Sequence, residues 1–306
     1  MDVLMVGSIA YDSVTSPAGM VEEELGGSAV YAGIASRFHA DYLNLKKVGL
    51  VGVVGDDFKQ SDIELLKGQG LDLSGIEIAK GKTFRWEGSY HGDMGVATTH
   101  DTQLNVFGDF APKVPGHSKN PKVLFCANLL PTLQSQVLSQ VKATRLTMLD
   151  SMNLWIDIAR DDLLSVMRRV DLIIINDGEV KMLADDDNII RAARKVIDIV
   201  SCKTLVIKKG ENGVIAFHNH EIISLPAYPT ELVVDPTGCG DSFAGTIAAN
   251  LAHGDGELTK DELREALLRA TVTASFTLES FGTSGLISLT EKVFQSRLTE
   301  FKRILG

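Results

Sequence analysis

The stretch Val233-Val234-Asp235-Pro236-Thr237-Gly238-Cys239-Gly240-Asp241-Ser242-Phe243-Ala244-Gly245 concentrates the residue types best able to do chemistry. Two β-branched residues predict the end of a strand, Gly238-x-Gly240 a turn, and Phe243, Ile247 and Leu251 a helix by their spacing. A glycine turn that opens a helix makes an anion site. The first helical N–H groups have no intrahelical partner, and the helix dipole is positive there. Asp241 stands where a bound phosphate would lie, and its carboxylate repels an anion. That repulsion makes sense if Asp241 is a base beside a transferring phosphoryl group. A helix cap is the alternative, since Asp is common at a helix start. Capping alone accounts poorly for Asp235, Thr237, Gly238, Gly240 and Asp241 together.

Three further segments carry polar groups after predicted strands. Asp12 follows strand Val3–Val6, and Gly26-Gly27 precedes a helix. A carboxylate after a buried strand can accept hydrogen bonds from two neighbouring sugar hydroxyls, and a glycine pair lets backbone approach such a ligand. A tight turn explains the glycines equally well. Asn176-Asp177-Gly178-Glu179 follows the apolar run Leu172–Ile175 and on its own reads as a helix-start turn. Lys208-Lys209-Gly210-Glu211-Asn212-Gly213 reads as a glycine hairpin with two cations, which surface exposure alone would also explain.

In this order and spacing, the four segments resemble the ribokinase-like (PfkB) carbohydrate kinase family, whose signature is Asp-Thr-x-Gly-x-Gly-Asp. This chain has Pro236 where the family has Thr or Ser, and Cys239 where it has Ala. The resemblance implies ATP-dependent phosphorylation of a hydroxyl on a small sugar or sugar-containing substrate. It implies Asp241 as base, with Gly238 and Gly240 in the anion hole. Asp12, Gly26 and Gly27 would hold the acceptor. Asn176 and Glu179 would organise Mg²⁺ and its waters. Lys208, Gly210 and Gly213 would run along the nucleotide, with Ser275 in the segment beside adenine. In many relatives the matches of Asp235 and Thr237 hold a monovalent cation such as K⁺. Tyr31 replaces the family's sugar-contacting Asn, which puts a standard furanose acceptor in doubt.

Short β-rich runs alternate with helical patterns, so the expected class is α/β with a mostly parallel sheet covered on both faces. Expected strands are Val3–Val6, Val123–Cys126, Leu146–Leu149, Leu172–Ile175, Thr204–Ile207 and Val214–Phe217. Expected helices are Ala29–Phe38, Lys59–Lys67, Leu133–Gln140, Asp162–Met167, Ile189–Val200, Ser242–Leu251 and Glu262–Leu278. Ile76 to Phe110 breaks the rhythm and reads as antiparallel strands. With residues 13–25, it would form the family's β lid over the substrate, in a single domain spanning residues 1–306. The family often dimerises through such lid strands. Phe84, Trp86, Phe107 and Asn105 fall in this lid. The aromatic rings could stack on a nucleobase or serve as ordinary strand and interface residues. With Tyr31, they tilt the acceptor toward a nucleoside over a free sugar; a phosphosugar facing Lys82 or Arg85 stays open.

Composition narrows the partners. The 306 residues are 44% hydrophobic with a net charge of −10, which argues against a nucleic-acid backbone or an anionic membrane. No stretch reaches the roughly 18–20 apolar residues of a membrane span. No secretory signal is read at the start, and the three cysteines (Cys126, Cys202, Cys239) lack a C-x-x-C pairing, so a cytoplasmic protein is expected. Cys239, at a helix start but near Asp241, is expected to be modestly reactive. Gly81-Lys82-Thr83 lacks the earlier glycine of a Walker loop, and Gly49, Gly52 and Gly55 are spaced by three, unlike a dinucleotide fingerprint. A dinucleotide-dependent oxidoreductase and a non-catalytic ligand sensor are the competing classes.

Overall fold

The computed structural model describes residues 1–306. Its strands in chain order are β1 (Val3–Val6), β2 (Ala10–Ser16), β3 (Gly19–Gly26), β4 (Val48–Gly55), β5 (Leu71–Ala79), β6 (Phe84–Tyr90), β7 (Ala97–Gln103), β8 (Val123–Cys126), β9 (Leu146–Asp150), β10 (Leu172–Asn176), β11 (Thr204–Lys208), β12 (Val214–His218) and β13 (Glu221–Leu225). Nine form one sheet in the order β13-β12-β11-β10-β9-β8-β1-β4-β5, parallel from β11 to β5, with β12 and β13 antiparallel. Strands β1, β4 and β8 are buried along their whole length, as expected for a sheet covered on both faces. The mostly parallel α/β class is therefore observed. A separate four-stranded sheet runs β3-β2-β6-β7.

The strand order fixes where a ligand can sit. From β1 the chain fills one side with β4 and β5, then crosses to β8 on the other side. Loops leaving β1 and β8 therefore diverge and leave a crevice at the carboxyl ends of the strands. The helix Cys239–His253 packs beneath this crevice, between the helices Ser28–Tyr42 and Lys260–Leu278. Phe243, Ile247 and Leu251 are at most 7% exposed, each burial contributing about 1.5–3 kcal/mol. Its remaining residues are mainly Ala, Gly, Ser and Thr, which lets the neighbouring helices approach closely.

Every expected strand of the main sheet and every expected helix forms, most with longer ends. Four features differ from expectation. Strand β4, Val-Gly-Leu-Val-Gly-Val-Val-Gly, is a fully buried central strand; its three glycines broke the pattern that would have marked it. Ile76–Ala79 belongs to β5 and pairs in parallel with Gly52–Gly55, so the small sheet begins at Phe84. Asn105–Asp109 is a 3₁₀ turn where a strand is expected. Val233 and Val234 join no sheet; the N–H groups of Val234 and Asp235 both donate to the Leu278 carbonyl instead. That contact ties the approach to the glycine turn to the end of helix Lys260–Leu278.

Candidate active site

The glycine turn is built by backbone. Gly238 takes φ 75° and caps helix Cys239–His253 with no side-chain oxygen. The Cys239 N–H closes the turn onto the Pro236 carbonyl at 3.1 Å, and the Ser242 N–H bonds Gly238 at 2.8 Å. The N–H groups of Gly240 and Asp241 have no partner in the chain. Two orphan donors at the positive end of a 15-residue helix are what an anion needs. Asp241 does not cap this helix: its carboxylate accepts no hydrogen bond.

The carboxylates around the turn are crowded. Asp12 is 6% exposed, and its carboxyl lies against Gly26, where a methyl group would overlap it. Burial first, then Asp235 and Asp241, push its carboxyl up to about 7, with the Gly27 N–H opposing. Asp241 also rises to about 7, through burial and the charge of Asp150, while Lys208 opposes. Asp235 is fully buried. Its two oxygens accept the N–H groups of Thr237 (2.9 Å) and Gly282 (3.3 Å), pinning both loops. Thr237 Oγ1 donates to the Tyr90 hydroxyl at 3.2 Å, so the small sheet touches the glycine turn.

Tyr31 packs against the glycine turn, within electrostatic reach of Asp12. Its ring, 1% exposed, lies directly under Gly238, and a methyl group there would overlap the ring. Its hydroxyl is buried without a partner. Trp86 sits opposite Asp12 in the β2–β6 register, on the same face of the small sheet. Its indole packs over Gly88, and Nε1 donates to Thr99 at 3.3 Å. Phe84 stacks on Phe107 at 5.2 Å, and Phe107 on Phe110 at 5.9 Å, a ladder at the base of the small sheet. Asn105 is not brought to Asp12. It donates to the Thr83 carbonyl and lines a separate cleft of about 450 Å³ with Lys80, Lys82 and Lys113.

On the far side of Asp241, Asn176 and Glu179 form a reciprocal capping box, the helix-start reading of these residues. Glu179 is nonetheless 4% exposed, and burial pushes its carboxyl up to about 7, with Lys208 opposing and Asp150 adding to the rise. Lys208 ends β11, beyond which Gly210–Asn212 and Gly213 turn the chain into β12. Ser275 is an internal helix residue: its hydroxyl donates to Val272 and accepts from Arg297. Two residues here escape a motif-based reading, Asp150 and Tyr90. Asp150 could have been found by the argument used for Asp12, as a carboxylate at the carboxyl end of a buried parallel strand.

Cys239 is half-buried, and its surroundings point to a thiol less reactive than expected. Its thiol donates to the Ala274 carbonyl at 3.6 Å, and burial with Asp235 and Asp241 pushes it well above the usual thiol range. Iodoacetamide at neutral pH should leave Cys239 unlabelled in the native protein while a free thiol reacts fully, as read by peptide mass spectrometry. Rapid native-state labelling would contradict this suppression of the thiolate.

The family model for pfkB carbohydrate kinases matches residues 3–289. The chain belongs to the pfkB family of carbohydrate kinases. It is 32% identical over 260 residues to the cytidine kinase of Thermococcus kodakarensis, covering 83% of this chain and 90% of that protein. Among solved structures, Burkholderia thailandensis nucleoside kinase in complex with inosine superposes with a TM-score of 0.77 at 18% identity, covering 98% of both chains. A putative ribokinase II from Escherichia coli with ATP and Mg²⁺ gives 0.78 at 19% identity, covering 98% of this chain and 99% of that one. The pfkB chain is thus a phosphotransferase, which retires the oxidoreductase reading. No helix is long and apolar enough to cross a membrane.

Proposed function

We propose that this pfkB-family enzyme is a nucleoside kinase that moves the γ-phosphate of ATP to a hydroxyl of the nucleoside's sugar. The observation that carries this is the unpartnered Asp241 carboxylate beside two orphan N–H groups, with Asp12 within its electrostatic reach. Asp12 and the Gly26-Gly27 turn fix the sugar hydroxyls. Asp241 takes the proton of the attacking hydroxyl. The amides of Gly240 and Asp241 face the charge that develops on the transferring oxygens. Positioning and electrostatics supply most of such a rate enhancement.

The nucleotide runs from the glycine turn along Lys208, Gly210 and Gly213 toward Ser275. Buried Glu179, with Asn176, offers the oxygen donors that Mg²⁺ prefers, through water, since both Glu179 oxygens already accept bonds from Asn176. Bound there, magnesium neutralises charge on the phosphate oxygens. Asp235 and Thr237 would hold a monovalent cation on their remaining lone pairs. A single domain acting in the cytoplasm, closing β2–β3 and β6–β7 over the acceptor as a lid and dimerising through the edges β3 and β7, completes the proposal.

A nucleoside is supported by the acceptors named for the T. kodakarensis and B. thailandensis proteins. Trp86 supports it independently, because an aromatic ring beside the sugar-binding carboxylate can stack on a base. The test is a coupled ADP-release assay over a panel of nucleosides and sugars. Trp86→Ala should weaken nucleoside binding by about 1–3 kcal/mol and leave the KM for ATP unchanged. Circular dichroism and a sizing column check that the small sheet and any dimer persist. Turnover of a simple sugar with none for nucleosides would overturn the acceptor, and a panel with no turnover would revive the ligand sensor.

A further inference from the structure

We propose that the cleft of about 450 Å³ beside the aromatic ladder is an effector site for a small phosphate monoester, and that its occupation holds the small sheet closed over the acceptor. The site stands on its own geometry, whereas its effect on the acceptor rests on the kinase reading above. Of the residues that the sequence assigned to a ligand, only Asn105 and Lys82 line this cleft.

The cleft lies where the chain passes between the two sheets. The chain leaves β5 for β6 through residues 80–83 and returns from β7 through the 3₁₀ turn Asn105–Asp109. Both passages line the cleft, together with Val53 of β4 and Ala79 of β5. They are tied to each other and to the end of β4. The Asp56 N–H donates to the Gly81 carbonyl at 3.0 Å, the Val106 N–H to that of Lys82 at 3.2 Å, and Asn105 Nδ2 to that of Thr83 at 3.0 Å. A molecule that bridges the two passages therefore fixes how the small sheet is set on the main one. In the present setting Thr237 beside the glycine turn donates to Tyr90 of the small sheet, so fixing it favours the closed arrangement. Protein already held closed binds its acceptor without first having to close.

The lining selects the chemistry. The ammonium groups of Lys80 and Lys82 form no ion pair. The N–H groups of Gly81 and Lys82 have no partner in the chain. Ammonium groups and free amides together suit a phosphate dianion, which accepts from both kinds of donor. Lys113 is a third cation. Its 3.3 Å pair with Glu77 joins side chains 77% and 44% exposed, and so exposed a pair is too weak to keep Lys113 from a dianion. Val53 and Phe110 are buried and give an apolar floor for a carbon body. Asp109 forms no ion pair and can accept a hydrogen bond from a hydroxyl on that body. The volume falls within the range of about 300–1,000 Å³ usual for small-molecule pockets.

Calorimetric titration with ribose 5-phosphate tests the site on protein saturated with ADP and the best nucleoside, so that both substrate positions are filled. The wild type should bind one equivalent. Folded Lys80→Ala/Lys82→Ala should bind it at least about 10-fold more weakly, since each lysine supplies a charge-assisted bond. If that variant does not fold, Lys80→Gln/Lys82→Gln is judged by the same ratio. Ribose should not bind. Inorganic phosphate should bind at least about 10-fold more weakly than the ester, and equal affinity would overturn the monoester in favour of the free ion. Loss of ester binding once the nucleoside is added would place the ester at the acceptor position and overturn the site. An unchanged affinity in the variant, or no binding to the wild type, would overturn it too. Saturating ester should lower the nucleoside KM of the wild type at least about fivefold and leave the KM for ATP unchanged. By linkage, the nucleoside should tighten ester binding by the same factor. In the variant, basal kcat should match the parent and the ester should no longer move the nucleoside KM. A wild-type nucleoside KM that ignores bound ester overturns the closure. Protein that turns over no nucleoside would defeat the acceptor proposed above, and titration with ADP alone would still decide the cleft.

Discussion

Asp241→Asn should lower kcat by about 10²–10⁴-fold, the usual contribution of a general base, while ATP binds as well or better. The amide keeps the volume of the side chain and its place in the first helical turn. It removes the proton acceptor and one negative charge facing the triphosphate. The carboxylate accepts no bond in the resting structure, so nothing structural is lost with it. Wild-type activity should also report the group's titration. Burial and Asp150 push Asp241 up to about 7, so below that pH it is protonated and idle. The kcat should then rise with pH, up to about tenfold per unit, and level off above about 7. Asp12 titrates in the same range, but its protonation should raise the acceptor KM and leave kcat for bound acceptor. In Asp241→Asn the acid limb of kcat should vanish. Near-normal turnover, or an unchanged acid limb in the variant, would sink the assignment.

The parts legible in sequence were those set by local pattern. Val123–Cys126 and Ile189–Val200 form with the expected bounds because an unbroken apolar run and a helical period leave little choice. Asp241 and the glycine turn were legible because they open a helix, and Asp12 because it lies shortly after β1, although it belongs to strand β2 of the small sheet. Strand β4 was not, since its glycines fit against Met1, Ile9 and the Gly81–Thr83 backbone from elsewhere in the chain. The helix start at Asn176 and Glu179 was readable, but the burial that raises Glu179, the charge of Lys208 that opposes it and that of Asp150 that adds to it all come from tertiary packing. The Asp150–Lys208 pair joins residues 58 positions apart in sequence, and neither β9 nor β11 carries a mark of the other. The packing of Tyr31 is hidden for the same reason. Its place in the helix was clear, but the residue packed on its ring, Gly238, lies more than half the chain away.

That contact gives a large expected effect from one methyl group. Gly238 needs the left-handed conformation, at φ 75°, which costs an alanine about 1–2 kcal/mol. The added carbon would also overlap the Tyr31 ring, a rigid side chain 1% exposed and unable to swing aside. Overpacking of this kind costs about 1–3 kcal/mol. Gly238→Ala should therefore lower Tm by roughly 4–10 °C, at about 2 °C per kcal/mol for a chain of this size. It should also displace the Gly240 and Asp241 N–H groups and reduce kcat by about 10²-fold, since errors near 1 Å are that costly. Tyr31→Phe is the control. It removes a buried hydroxyl that has no partner, so its Tm should be unchanged or slightly raised and its kcat retained. Tyr31→Leu makes room for the methyl group. In that background the cost of Gly238→Ala should shrink to its conformational part, a coupling of about 1–3 kcal/mol in a double-mutant cycle. Equal costs in both backgrounds would show that the ring does not support the turn. Normal melting and turnover of Gly238→Ala would remove the glycine turn from the phosphate site altogether.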